Sequence, residues 1–115
     1  MPENKQRIIQ ESVPGRQISL AHIIANPDAA ICESLGITEP NSSAIGVMTI
    51  TPAETAIITA DIAVKASGVR IISVDRVNGS LLVAGTVSEV ESAVYAVLAY
   101  VGEKLGFTVC EPTRT

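Results

Sequence analysis

Tryptophan is absent, aromatic residues make up only 3% of the chain, and eight basic residues face twelve acidic ones, for a formal net charge of −4. With no basic stripe to neutralise phosphates and no aromatic platforms for stacked bases, a nucleic-acid partner is not expected. One histidine and two distant cysteines, Cys32 and Cys110, give no metal-ligand or redox spacing. No metal or other cofactor is therefore expected, and the two thiols read as reduced packing residues. No apolar run approaches the ~18 residues of a membrane helix, and the first ten residues are too polar for a secretion signal. The expected setting is the cytoplasm, away from membranes. The glycines form neither of the common phosphate-cradling loops.

What is abundant is apolar side chain. Hydrophobic residues make up 47% of 115 residues and charged ones only 17%, with a mean hydropathy of +0.38. A single small domain has too much surface to hide this much apolar material, so self-association is the first inference.

Two helices announce themselves. Thr51-Pro52-Ala53-Glu54 has the form of a capping box with proline at the first helical position. Ala53, Ala56, Ile57, Ala60 and Val64 follow at helical spacing, and Gly68 is placed to end the run. Ser88-Glu89-Val90-Glu91 reads as a second capping box, opening a helix that carries Val90, Ala93, Val94, Val97, Leu98 and Val101 and ends by Gly106. Between them, residues 69–76 and 80–87 are β-branched runs around Asn78-Gly79, a hairpin signal. Residues 44–50 and 107–110 are further strands. From residue 43 the order is β-α-β-β-α-β, an α+β, ferredoxin-like antiparallel sheet with both helices on one face.

Ahead of that unit, residues 17–25 read as a strand with Ile18, Leu20, His22 and Ile24 on one face. Asn26-Pro27 caps a short helix over 28–35, which Gly36 closes, and residues 39–43 form a polar linker. Strands 17–25 and 107–110 compete for one sheet edge, and the residues alone leave the choice open. Arg7-Ile8-Ile9-Gln10-Glu11-Ser12-Val13 is a β-prone run too short to persist alone.

No catalytic constellation emerges. His22 reads as a hydrogen-bonded structural residue rather than a base or ligand. Glu54, Glu89 and Glu91 are explained by capping turns, while Glu33, Glu103 and Lys104 look like solvated helix faces. Nothing near Cys110 in sequence would activate its thiol. An enzyme is not expected.

The opening Ile8-Ile9-Gln10-Glu11-Ser12-Val13-Pro14-Gly15-Arg16-Gln17, followed by Leu20-Ala21-His22-Ile23-Ile24-Ala25-Asn26-Pro27, closely resembles circularly permuted bacterial microcompartment shell proteins. The relatives concerned belong to ethanolamine, propanediol or choline utilisation. The likeness continues through Ala44-Ile45-Gly46-Val47-Met48-Thr49-Ile50-Thr51-Pro52, Asp61-Ile62-Ala63-Val64-Lys65 and Asp75-Arg76, and ends at Thr108-Val109-Cys110 and Thr113-Arg114-Thr115.

The resemblance implies a ferredoxin-like fold whose usual last strand and helix have moved to the front. Residues 1–15 would be an N-terminal segment and 16–115 one permuted domain. Strand 17–25 would then fill the contested position, with 107–110 lying elsewhere. It further implies a homohexamer that tiles with other shell proteins around encapsulated enzymes. Six copies of Arg7 to Val13 would close a parallel β-barrel capping the central pore, which gives that short run a partner. Two faces alternate along it, Ile8, Gln10, Ser12 and Ile9, Glu11, Val13, and either could line the lumen.

By the same resemblance, Val77, Asn78, Gly79 and Ser80 match the loop facing the sixfold axis. A tight turn explains the Asn-Gly pair equally well, and Asn78 departs from the small or aromatic residue of the relatives. Lys65 matches an edge lysine where hexamers meet, although an ordinary i, i+4 pair with Asp61 is the simpler account. Asn26 stands where relatives carry an edge arginine. The alternative function is a small-molecule-binding regulatory module, since ligands can lodge in subunit clefts of such folds.

Overall fold

The computed structural model of the chain describes residues 15–38 and 42–115. The expected barrel strand, Arg7 to Val13, lies outside the described residues, as does most of the expected linker.

Among the described residues nine elements follow in order: β1 (Gln17–Ala25), α1 (Ala29–Ser34), β2 (Ala44–Thr51), α2 (Thr55–Ala66), β3 (Arg70–Asp75), β4 (Ser80–Gly85), α3 (Val87–Glu103), β5 (Thr108–Val109) and β6 (Thr113–Arg114). They build one sheet ordered β3-β4-β2-β1-β5, with β6 also on β1. The pairs β1/β2, β2/β4 and β3/β4 are antiparallel, whereas β5 and β6 run parallel to β1.

The two claimants for the sheet edge both join it. β1 lies directly beside β2, and β5 pairs outside it through Gln17↔Thr108 and Ile18↔Val109. The expectation that residues 107–110 lie away from the sheet is thus corrected. β6 is an addition the hydrophobic pattern did not signal, because a polar dipeptide has no period to detect. It is held by His22↔Thr113 and Ile23↔Arg114, and its neighbour Thr115 donates its N–H to Ile23 O at 2.9 Å.

The alternation expected for β1 also needs correction. Pairing steps from Ile18↔Ile50 to Leu20↔Thr49, which leaves Ser19 as a bulge. One extra residue switches the faces. Ile18, Ala21 and Ile23 are buried in the main core, while His22 and Ile24 turn to the other side and Leu20 is exposed.

Helix α3 follows its sequence closely: Val90, Ala93, Val94, Val97, Leu98 and Val101 are all buried. It sits close on β2 because Gly46 has no side chain. A Cβ there would stand 3.0–3.3 Å from methyl groups of Val83, Val90 and Val94. Its cap lies two residues earlier than Ser88. β4 releases the chain at Gly85, and Thr86 caps the helix. The Glu89 N–H donates to Thr86 Oγ1 at 3.1 Å, and the Thr86 N–H donates to Glu89 Oε1 at 2.9 Å. Glu91 is not a capping residue; it is ion-paired with Arg114 of β6.

Helix α2 departs further from expectation. Thr51 stays in β2, paired with Gln17, and precedes a cis bond to Pro52. Bound in the ladder, it cannot cap a helix that starts at Thr55, and Glu54 at the N-cap makes no side-chain capping bond. The buried face is Thr55, Ala56, Thr59 and Ala63, with Ala60 partly buried against the core. The fully buried Thr59 hydroxyl is satisfied by donating to Ala56 O at 2.8 Å. Small residues face the sheet, and Ile57 and Val64, expected inside, are exposed together with Ile58.

Both long helices pack on one sheet face. The other face is covered locally by α1 and the turn after it, where Ile37 joins Ile45 and Ala84 with Cys32 and Leu35 alongside. The cap of α1 is Asp28, whose Oδ1 accepts from Ala30 N–H at 2.8 Å, in place of the expected Asn26. Asn26 instead takes a left-handed turn, φ 50°, on leaving β1.

Candidate functional site

Three surface features could carry a function. The first is the hairpin tip between β3 and β4. Asp75 pairs with Ser80, so the loop is the four residues Arg76, Val77, Asn78 and Gly79 rather than a two-residue Asn-Gly turn. Asp75 organises it. Its Oδ1 accepts from the backbone N–H of Val77 and Asn78, both at 2.9 Å, and its Oδ2 accepts from Asn78 Nδ2 at 3.0 Å. Its carbonyl accepts from Gly79 N–H at 2.9 Å. Such an aspartate turn fixes the backbone two and three residues on. The Asn78 backbone N–H, then its side chain, then the Val77 N–H hold the Asp75 carboxyl below its ordinary value. The sequence reading gave Asp75 no role, although an Asp three residues before Asn-Gly is the available signal.

Gly79 is the fixed end of this tip. Its φ of 85° is left-handed, its carbonyl accepts from Ile50 N–H at 2.8 Å, and an added Cβ would stand 2.1 Å from Ile50 O. Val77, by contrast, is 78% exposed. Among the four expected loop residues, then, Val77 and Asn78 project while Gly79 and Ser80 anchor.

The second feature is the outer side of α2. Asp61 Oδ2 and Lys65 Nζ meet at 2.9 Å, both well exposed. The hydrogen bond and charge of Asp61 raise the Lys65 pKa above its ordinary value. The pair borders an open groove of about 350 Å³ lined by Ile58, Ile62, Ala66 and Tyr100. Ile57, 52% exposed, and Val64, 44% exposed, lie on the same helix. Asn26 belongs to another element, where its N–H donates to Ser43 O at 2.8 Å. The three expected edge residues therefore divide into one bonded pair and one residue fixed separately.

The third is the sheet edge at His22. Its Nδ1 lies 2.6 Å from Thr113 Oγ1 and its Nε2 2.9 Å from Thr115 Oγ1. Both ring nitrogens are thus engaged in holding the C-terminal strand, a structural use of the ring. Cys32 and Cys110 are half-buried free thiols packed against the two apolar clusters. Among the described residues no group of three or more His, Cys, Asp or Glu is arranged to hold a metal ion, and no helix is long and apolar enough to cross a membrane.

Comparison with known proteins gives this geometry its context. The bacterial microcompartment shell protein EutS of Salmonella typhimurium is 47% identical over 112 residues, covering 97% of this chain and 99% of EutS. The shell protein PduU of the same organism is 48% identical over 109 residues, covering 95% and 93% of the two chains. Among solved structures, a CutR flat hexamer subunit superposes with a TM-score of 0.84 at 46% identity, covering 91% of this chain and 95% of that one. The sequence pattern of the BMC domain matches residues 44–113, from the start of β2 into β6. On this match and these identities, the chain belongs to the BMC domain family of bacterial microcompartment shell proteins.

Proposed function

We propose that the chain is a structural shell subunit that closes into a ring of six copies and tiles with other shell proteins around encapsulated enzymes in the bacterial cytoplasm. It carries out no catalysis in this role. The observation that carries the reading is the set of large apolar and aromatic side chains left uncovered on the two long helices of the single chain. Ile57, Ile58, Val64, Tyr95 and Tyr100 all expose a large part of their surface on α2 and α3. Covering such side chains is worth about 25 cal/mol per Å², and identical copies are the simplest source of cover. The likeness to a CutR subunit that assembles as a flat hexamer supports the same stoichiometry.

In this reading residues 16–115 form one domain, a circular permutation of the BMC arrangement. The support is that β1, first in sequence, sits beside β2 where the last strand of a β-α-β-β-α-β unit belongs. The loop of Val77, Asn78, Gly79 and Ser80 faces the ring axis. Arg7 to Val13 of the six chains form a parallel barrel over the pore, and Asp61, Lys65 and Asn26 lie where rings meet.

Native mass measurement tests the reading. A particle of six times the 12.0 kDa chain is expected, and a stable monomer at micromolar concentration overturns it. Deleting residues 1–13 is expected to keep the six-copy mass while uncapping the axis, as seen by electron microscopy.

A further inference from the structure

The sequence Asn78-Gly79 is the pairing least hindered toward loss of the asparagine amide, because glycine puts no side chain in the way of its own nitrogen. In that reaction the Gly79 nitrogen attacks Asn78 Cγ and a C–N bond closes a five-membered succinimide. The Cγ–Nδ2 bond breaks, and Nδ2 leaves as ammonia with the proton given up by Gly79. Water then opens the ring at either carbonyl, leaving aspartate or isoaspartate. Asparagine is among the residues that limit protein lifetime on heating for this kind of reason.

In the folded chain both the attacking and the leaving nitrogen are already engaged. The Gly79 N–H, which must lose its proton, donates to Asp75 O at 2.9 Å. The leaving nitrogen, Asn78 Nδ2, donates to Asp75 Oδ2 at 3.0 Å, and the Asn78 N–H donates to Asp75 Oδ1 at 2.9 Å. Swinging Gly79 toward the carboxamide must break the bond its carbonyl accepts from Ile50 N–H at 2.8 Å, and the Ile50 carbonyl fills the space where a side chain on Gly79 would stand.

We propose that Asn78-Gly79 is a latent deamidation site at the exposed hairpin tip, and that Asp75 is the positioning residue that holds it closed. Once the turn opens, deamidation through the succinimide converts the neutral side chain into a carboxylate near Asp75. The two then repel, and the turn loses the bond from Nδ2 that had helped to close it. The modification is therefore self-reinforcing: a loop once opened and converted does not return to the same geometry.

The test incubates the folded protein at physiological temperature and mildly alkaline pH, and follows conversion of Asn78 by mass spectrometry of the tryptic fragment that begins at Val77. A free peptide spanning residues 74–82 is the unlocked reference. The native chain is expected to convert at least roughly tenfold more slowly than the peptide, the equivalent of one charge-assisted hydrogen bond. Asp75→Ala removes the carboxylate bonds but leaves Gly79 bonded to the backbone of residue 75 and of Ile50, and is expected to convert clearly faster than the native chain while staying slower than the peptide. Asp75→Asn keeps an oxygen for the two backbone donors but not for Nδ2, and is expected to fall between it and the native chain. Thr86→Ala, which weakens the fold without touching the loop, separates a local lock from general stability and is expected to leave the rate unchanged. Should Asp75→Ala not fold, the graded result of Asp75→Asn carries the test. A native chain as fast as the peptide, Asp75 variants as slow as the native chain, or an equal acceleration by Thr86→Ala overturns the proposal.

Discussion

Thr86 and Glu89 exchange two hydrogen bonds across the first turn of α3, each side chain accepting from the other's backbone N–H. The reciprocal bond satisfies two donors that a helix start leaves open, beneath the helix that supplies six buried side chains. Thr86→Ala is therefore expected to cost about 1 kcal/mol. Ser88→Ala, one residue inside the helix and exposed, is expected to cost almost nothing. Urea denaturation of the two variants at equal protein concentration checks both, and equal losses would show the cap to be elsewhere.

Gly79 makes a sharper case. A side chain there must adopt a left-handed backbone, which costs about 1–2 kcal/mol, and must also displace the Ile50 carbonyl that lies 2.1 Å from its Cβ. Gly79→Ala is expected to lower the thermal midpoint by well over roughly 4 °C, the shift that corresponds to 1 kcal/mol in a chain of this size. By contrast Gly36→Ala, where φ is also positive but no atom lies within 4 Å, carries only the backbone cost. Differential scanning calorimetry on the pair separates strain from collision.

The pH dependence follows from Asp75. Its carboxyl is held below the ordinary value of 3.8 by three N–H donors. A depressed folded-state pKa contributes stability above the unfolded value and loses it as pH falls through the folded one. The native chain is thus expected to be more stable than Asp75→Asn at neutral pH, with the gap closing as the solution is taken below pH 3.8. Parallel denaturation curves at several acidic pH values check this, and a gap independent of pH would assign the difference to shape rather than charge.

How far the sequence could be read depends on the kind of signal. The stripe of α3 was legible because six apolar residues, five of them valine or leucine, repeat at one period and are all buried. α2 was not, because its buried face is Thr55, Ala56, Thr59 and Ala63 while Ile57, Ile58 and Val64 face out. A hydrophobic period cannot tell a face turned to the core from one turned to another surface. In β1 the bulge at Ser19 inverted the alternation, and nothing local to a Gln-Ile-Ser-Leu run announces an extra residue. The ladder likewise overrode a well-formed capping motif at Thr51. At the hairpin the sequence located the tip but overlooked Asp75, since a turn aspartate acts through donors that only a fixed backbone aligns.

Lys65 offers the most discriminating test of the proposed assembly, because its two explanations predict opposite patterns. If its value lies in the 2.9 Å pair with Asp61, removing either partner has the same effect, a slight loss of helix stability with assembly unchanged. If instead the ammonium serves a neighbouring ring, the lysine matters and the aspartate does not. A lysine at its ordinary value of 10.5 is charged throughout the neutral range with or without Asp61, so charge state does not separate the two explanations. Both variants are exposed on the single chain, so neither is expected to disturb folding or the six-copy mass. Lys65→Ala is expected to abolish extended sheets, and Asp61→Ala, which frees the ammonium to turn outward, is expected to retain them. Native mass measurement and negative-stain microscopy of the two variants decide between the explanations, and identical behaviour would return Lys65 to the role of an ordinary helix-surface partner.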